Sequence, residues 1–318
     1  RDSELGVTPA EVLRKLAELA AMPHAPSTKA RIPAENLSGL LDRKEALQLL
    51  NSAWELGEFK FGPQDTAWYQ SRFESPGEVE LALATAKRLR NESFPVLSAK
   101  LNEFIATVEF KPAETVHEIG QYLRLFVGIR ESLDRFNSDV FDRSLTELIV
   151  ATSPRKVKGQ MSGGTRRRLK KLAKEYLRPG MSVTDMSSAL TAIEEQRELW
   201  HKLSVGLKPP MVPPGINDAL VTHQALVTDL EQIQQHLDPL STEPLLSMLP
   251  LAELEAKLAS LVEDVEVLEN LGDRSMVTKQ LRELGLEELV RDLGRLHVSR
   301  ERLSAELDQA WWQSTLEL

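Results

Sequence analysis

The chain has 318 residues and a formal net charge of −9 at pH 7, with 42% hydrophobic and 27% charged residues. This composition excludes a disordered chain, because it holds enough apolar material to bury a core, and the length predicts two or three helical subdomains. The chain has no cysteine, which excludes disulfides and thiolate metal sites and indicates a reducing cytoplasm as the compartment. No apolar stretch approaches the roughly 18 residues of a membrane-spanning helix, so no membrane partner is expected.

Helix-start signals recur along the chain. Thr8-Pro9-Ala10-Glu11 is a capping box with proline at the first helical position, and Ser75-Pro76-Gly77-Glu78 repeats this chemistry. Thr115-Val116-His117-Glu118 is a third box, and Ser182 followed by Asp185 is a weaker form with a shorter acid. Each signal predicts the first turn of a helix.

Between these caps the apolar residues step by three and four. One such seam consists of Leu226, Leu230, Ile233 and Leu237, and a second runs from Leu251 to Leu268. An average step of 3.5 residues is typical of coiled coils, and the loop between the seams predicts an antiparallel hairpin. The predicted fold is therefore all-α, with antiparallel helical hairpins and coiled coils in an elongated, multi-helix architecture.

A long helical segment from Pro76 to Val108 contains Pro95, which is expected to kink or divide the helix. Breaks in composition then divide the whole chain into five predicted parts, and no repeat of fixed period indicates a solenoid. The parts are an N-terminal helical subdomain (1–74), a long-helix hairpin (75–152), a basic helix with the following long helix (153–214), a coiled-coil hairpin (215–272) and C-terminal helices that return to a missing neighbour domain (273–318).

Catalytic chemistry has little support in the sequence. The six histidines are scattered and form no close pair of metal ligands. We expect no catalytic residue, no metal site and no cofactor within this chain.

The strongest functional signal is a basic segment. From Arg155 to Arg178 there are ten basic residues and one acid, Glu175, which gives +9 in an otherwise acidic chain. Residues 165–177 are predicted to form a helix with an apolar face and an opposite cationic face, which could follow a nucleic-acid backbone. The candidate nucleic-acid-binding residues are Arg155, Lys156, Lys158, Arg166, Arg167, Lys170, Lys171, Lys174 and Arg178.

Two other interpretations of this segment remain open. The cations could be a solvated helix face that pairs with acidic parts of the same chain, or they could meet an acidic partner protein. Aromatic residues are not interleaved with the cations, so base-specific recognition is not expected. The large side chains of Trp68, Trp311 and Trp312 are predicted to dock a subdomain or a neighbouring domain.

Several stretches together suggest a family: Asp65–Tyr69, Met161–Lys174, Tyr176–Gly180, Leu190–Trp200 and Leu281–Leu293 with the following run to Trp312. They resemble the helical insertion region of large bacterial superfamily 1 DNA helicases. The resemblance implies a parent protein that hydrolyses ATP with Mg and moves on DNA, and of which this chain is an accessory arm. The chain itself contains neither a phosphate loop nor an Mg-binding acidic motif, so the resemblance assigns no catalytic residue.

The first residue, Arg1, is not methionine, and the chain stops within an apolar aromatic stretch. We therefore expect it to be part of a longer protein, whose motor domains would be one partner and nucleic acid, most simply DNA, the other. The rival hypothesis is a coiled-coil scaffold that binds another protein and has no nucleic-acid role.

Overall fold

The computed structural model describes residues 5–62, 65–154, 161–239, 243–263 and 265–317. Throughout these ranges the regular structure is helical and no β-strand forms, so the predicted all-α class is confirmed. None of the helices described is both long and apolar enough to cross a membrane.

Short helices alternate with longer ones along the chain. The α-helices are α1 (Pro9–Ala20), α2 (Ala34–Leu37), α3 (Lys44–Glu55), α4 (Pro76–Arg88), α5 (Phe94–Val108), α6 (Val116–Arg135), α7 (Thr146–Thr152), α8 (Gly163–Glu175), α9 (Met186–Leu203), α10 (Ile216–His236), α11 (Leu251–Glu263), α12 (Val265–Leu268), α13 (Leu271–Glu283), α14 (Glu287–Arg295) and α15 (Leu303–Leu316). A π-helix spans Leu89–Ser93, and 3₁₀-helices span Ser138–Phe141, Leu246–Met248 and Arg300–Arg302.

The chain divides into two compact units. The first comprises Arg1–Arg90, Asp229–Leu245 and Ala252–Leu318, and the second comprises Asn91–Thr228 and Leu246–Leu251. Neither unit is one continuous stretch of sequence. The five-part division expected from the sequence is finer than this one and stays a prediction.

The core of the first unit joins both ends of the sequence. α1, α2 and α3 pack against α15, and α3 also packs against α13. The buried side chains of this core come from α2, α3, α13, α14, α15 and neighbouring segments, and include Leu37, Leu50, Leu281, Leu289, Leu307 and Trp311. Burial of such side chains supplies about 1.5–3 kcal/mol each, which makes residues far apart in sequence depend on one another.

An extended segment, Ser27–Ile32, lies along α14 and α15 and is held by their polar side chains. The Glu306 carboxylate accepts hydrogen bonds from the backbone N–H groups of Ser27 and Thr28 at 2.9 and 2.8 Å. Asp292 accepts one from the N–H of Lys29 at 3.0 Å, and Glu288 accepts one from that of Arg31 at 2.7 Å. The Ser314 hydroxyl accepts one from the N–H of Ile32 at 2.8 Å. These bonds satisfy backbone donors that have no partner in a helix or sheet.

The core of the second unit is aromatic. The Phe110 ring lies 4.6 Å from the ring of Trp200 and 5.6 Å from that of Phe126, and the Tyr122 ring packs edge-on against it. The indole N–H of Trp200 donates to the carbonyl oxygen of Lys208 at 2.9 Å. These contacts fix α6 against α9 within this unit.

Pro95 divides the long helical segment, as predicted. α4 ends at Arg88, the π-helix Leu89–Ser93 follows, and α5 begins at Phe94 with the proline in its first turn. Proline has no N–H to donate to the preceding turn, so the regular hydrogen-bond pattern changes just before it.

One predicted capping box forms in full, since Thr8 and Glu11 bond reciprocally. Ser75 and Thr115 cap their helices as predicted, but the glutamate three residues later accepts the N–H of the residue before the cap, so these two boxes are not reciprocal. The box expected at Ser182 is wrong, because Asp185 itself caps α9 and its carboxylate accepts the backbone N–H of Ser188 at 3.1 Å. These hydrogen bonds from Ser188 lower the pKa of Asp185.

The seam residues Leu226, Leu230, Ile233 and Leu237 are buried. Leu254, Leu258 and Leu261 of the second seam are buried as well. The coiled-coil pairing of these two seams is not confirmed and stays a prediction.

Candidate nucleic-acid interface

The basic segment forms α8, whose start is fixed by a serine cap. The Ser162 hydroxyl accepts the backbone N–H of Thr165 at 3.2 Å. The guanidinium of Arg166, in the first turn, is half-buried and donates to the carbonyl oxygen of Ser153 at the end of α7. Glycines at positions 163 and 164 meet no neighbouring atom where a Cβ would lie.

The apolar face of α8 packs against α7, which in turn packs against α9. Leu169 and Ala173 are buried, while Leu172 and Tyr176 are partly buried. This face matches the sequence prediction, although the helix begins and ends two residues earlier than predicted.

The opposite face of α8 carries exposed cations. At about 100° per residue, the side chains of Arg167, Lys170, Lys171 and Lys174 project within about 100° of one another. All four are exposed, and Arg168 beside them is exposed too. We call these four residues, together with Arg178, the cationic face.

No ion pair joins the cationic face to a carboxylate within the described parts of the chain. Pairs such as Arg167 with Lys171 and Lys170 with Lys174 are four residues apart, and each like-charge pair at this spacing costs about 0.2–0.5 kcal/mol. The interpretation in which acidic parts of the same chain neutralise the segment therefore has no support among these residues.

The end of α8 is anchored to the end of α6. The backbone N–H of Asn137 donates to the carbonyl of Tyr176 at 2.8 Å, and that of Arg178 donates to the carbonyl of Arg135 at 2.9 Å. The Arg178 guanidinium also donates to the carbonyl of Phe136 at 3.3 Å. Contacts at both ends thus fix the direction in which the cationic face points within its own unit.

Three of the predicted binding residues, Arg155, Lys156 and Lys158, lie outside the described residues. The sequence reasoning also missed one exposed cation, Arg168, although it stands in the same arginine run as Arg166 and Arg167. The structure brings together the remaining predicted residues of the segment on or beside α8.

The three predicted docking tryptophans lie in or against the core of the first unit. Trp68 and Trp311 are buried, and their indole N–H groups donate to the carbonyls of Leu261 and Leu37 at 3.0 and 3.1 Å. Trp312 is partly buried, so of the three it alone offers surface to a further domain. That docking role stays a prediction.

Within the described residues, no group of three or more His, Asp or Glu side chains could hold a metal ion. His223 is buried, and its Nε2 lies 3.0 Å from the carbonyl oxygen of Val116. Burial lowers the pKa of this histidine, as expected for a neutral core side chain.

No protein-family model, curated protein or solved structure matches this chain. The relationship to superfamily 1 helicases therefore stays a prediction.

Proposed function

We propose that this chain is an accessory nucleic-acid-binding region, in which the cationic face of α8 contacts the sugar-phosphate backbone. One observation carries the proposal: a row of exposed cations has no carboxylate partner among the described residues and lies on a helix anchored at both ends. Such a row holds positive charge in a fixed direction, whereas a flexible tail would have to be ordered on binding.

Backbone contacts of this kind release counterions, so their strength falls with salt. From Arg167 to Lys174 the helix rises about 10 Å, which matches about three phosphates along one strand of a duplex. Five contacts to a single strand would give a slope of about −3.5 for log K against log salt. Base recognition is not part of the proposal, because Tyr176 lies on the partly buried face.

The resemblance to superfamily 1 helicases extends the proposal to a parent protein. In that parent, ATP and Mg would be bound by motor domains outside this sequence, and this region would contact DNA or brace the motor in the cytoplasm. The cationic face supports the contact with nucleic acid.

The rival function, a scaffold that binds a partner helix through its coiled-coil seams, is less well supported. Leu258 and Leu261 have relative exposures of 1% and 0%. Residues so deeply buried offer no seam to a partner helix without unfolding part of the chain.

A charge-reversal experiment tests the proposal. The test variant carries Lys170→Glu, Lys171→Glu and Lys174→Glu. The control variant makes the same change in net charge at exposed lysines elsewhere, with Lys60→Glu, Lys87→Glu and Lys202→Glu. Binding of single- and double-stranded DNA is measured by fluorescence anisotropy over a range of salt concentrations.

The test variant is expected to lose at least about tenfold in affinity at low salt and to reduce the salt slope by about 2, since about 0.7 ions are released per contact. The control variant should retain the wild-type slope. Equal losses in both variants would show that only net charge matters, and the absence of salt-sensitive binding by the wild type would exclude the function. Circular dichroism confirms that both variants are folded.

A further inference from the structure

A pocket of about 540 Å³ lies beside α13 and α14 in the first unit. Ile32 and Pro33 supply the apolar part of its wall, and Arg31, Arg282, Glu287 and Arg291 belong to the charged part. A volume between about 300 and 1,000 Å³ is typical of sites that bind small molecules.

Most charges around this pocket already have partners. Arg291 forms a bidentate ion pair with Asp238, in which one N–O distance is 2.9 Å. The carboxylate of Glu287 accepts a hydrogen bond from Arg72. These pairs fix the side chains on the charged wall and occupy the Arg291 N–H groups that could otherwise hold an anion.

Among the arginines of the pocket, Arg282 is the exception. Its guanidinium forms no ion pair and no hydrogen bond with any of the described residues, although the side chain is half-buried. Burial, followed by the positive charge of Arg72, lowers the pKa of Arg282, while Glu287, Glu74 and Glu58 act in the opposite direction. The guanidinium is thus partly desolvated without a hydrogen-bonded partner, and the three carboxylates compensate its charge only in part.

We propose that this pocket binds a small organic molecule with one anionic head group on a compact apolar body, and that Arg282 holds the head group. A guanidinium presents parallel N–H donors that match the two oxygens of a carboxylate or phosphate. The apolar wall at Ile32 and Pro33 contacts the body of the ligand. The nearby carboxylates of Glu283, Glu287 and Glu288 would repel a second anionic group, which limits the ligand to one.

The test uses benzoate as the anionic probe and benzamide as its neutral counterpart of the same shape. Binding is followed by NMR through the methyl signals of Ile32, which lies in the pocket wall. Benzoate is expected to shift these signals with a Kd on the order of 1 mM, as befits a ligand of its size, and benzamide is not.

Two substitutions assign the contact. Arg282→Gln is expected to weaken benzoate binding by about tenfold or more, because the charged hydrogen bonds are lost, and Arg282→Lys should give an intermediate loss. Arg295→Gln removes an exposed arginine on α14 as the control and should leave binding unchanged. The thermal midpoint of Arg282→Gln is expected to equal or exceed that of the wild type, because a partly desolvated charge without an ion pair is removed.

The proposal is overturned if benzoate does not bind the wild type, if it binds Arg282→Gln as tightly, or if benzamide binds equally well. Phenyl phosphate, tested in parallel, distinguishes a phosphate site from a carboxylate site by the tighter of the two affinities. DNA binding by Arg282→Gln should remain that of the wild type, so this pocket and the cationic face are tested separately.

Discussion

At the scale of single residues, the first unit contains an ionisable pair that is almost wholly removed from solvent. The Glu58 side chain is 11% exposed and that of Arg274 is 6% exposed, and their closest atoms are 3.6 Å apart. Burial raises the pKa of Glu58 to about 7, because desolvation outweighs the attraction of Arg274 and Arg282. The folded protein therefore binds a proton at this site that the unfolded chain has already lost near neutral pH.

Glu58→Gln should make the free energy of unfolding less sensitive to pH. Because the folded pKa is above the unfolded value of 4.5, ionisation of Glu58 reduces stability as the pH rises from about 4.5 to about 7. The variant mimics the protonated state, so its stability relative to the wild type should increase over this window by roughly 1–3 kcal/mol and stay level above it. Urea unfolding at several pH values measures the difference.

Glu74→Gln is a control for which the pH dependence of the free energy of unfolding should change in the opposite direction. A hydrogen bond from Lys279 and the charge of Lys279 lower the pKa of Glu74. The contribution of this carboxylate to the free energy of unfolding is therefore present above the unfolded pKa and is lost on acidification. A stability difference for Glu58→Gln that shrinks as the pH rises would contradict the assignment.

At the scale of elements, the caps and breaks of helices could be predicted from sequence because their causes are local. Thr8, Ser75 and Thr115 cap the helices that they were predicted to cap. Pro95 divides a helix for a reason that lies within one turn of the chain. The apolar and cationic faces of α8 follow in the same way from the helical period.

Long-range features could not be predicted in this way. The Ser27–Ile32 segment reads as a loop rich in small residues, and nothing near it in sequence indicates that Glu306 and Asp292 bind its backbone. The separation of 279 residues between Ser27 and Glu306 places this contact beyond any local pattern. The pocket at Arg282 was missed for the same reason, since its walls come from distant segments.

Glu306→Gln should loosen the Ser27–Ile32 segment. Glu306 is fully buried, and its carboxylate can only accept hydrogen bonds. The glutamine side chain has one oxygen and one NH₂ group, and this NH₂ group cannot accept a hydrogen bond from the same backbone N–H groups. The expected loss in the free energy of unfolding is about 2–4 kcal/mol, with faster tryptic cleavage at Lys29 and Arg31. Glu18→Gln, at an exposed ion pair on α1, should leave both measurements unchanged.

If the cleavage rate of Glu306→Gln equals that of the wild type while stability falls, the carboxylate acts elsewhere than on this segment. The two measurements separate local opening from global unfolding.

At the scale of the whole molecule, the two units differ in how they use the sequence. All residues of the second unit lie between positions 91 and 251, whereas the first unit draws on residues before and after this range and on Asp229–Leu245 within it. α3 packs against α13, and α1 against α15, so the first unit depends on contacts between both ends of the sequence.

Deletion of residues 1–55, which contain α1, α2 and α3, should therefore disrupt α13 and α15 although they are far away in sequence. Removal of these helices exposes Trp311 and its apolar neighbours. We expect a red-shifted tryptophan emission and increased binding of a hydrophobic dye. The aromatic core of the second unit should persist, as seen in slowly exchanging amide protons of α6 and α9.

The same deletion would give a different result if the C-terminal helices were stable alone. An unchanged emission spectrum and protected amides in α13 and α15 would contradict the dependence.

The joining of both sequence ends in one core has a consequence for synthesis on the ribosome. Roughly 200 residues separate α3 from α13, and at about 5–20 residues per second this distance corresponds to about 10–40 s of translation. During that interval the apolar surfaces of α1–α3 remain without their final neighbours, while the second unit has time to fold. Nascent chains should therefore be captured by chaperones chiefly through α1–α3, and release should coincide with emergence of α15.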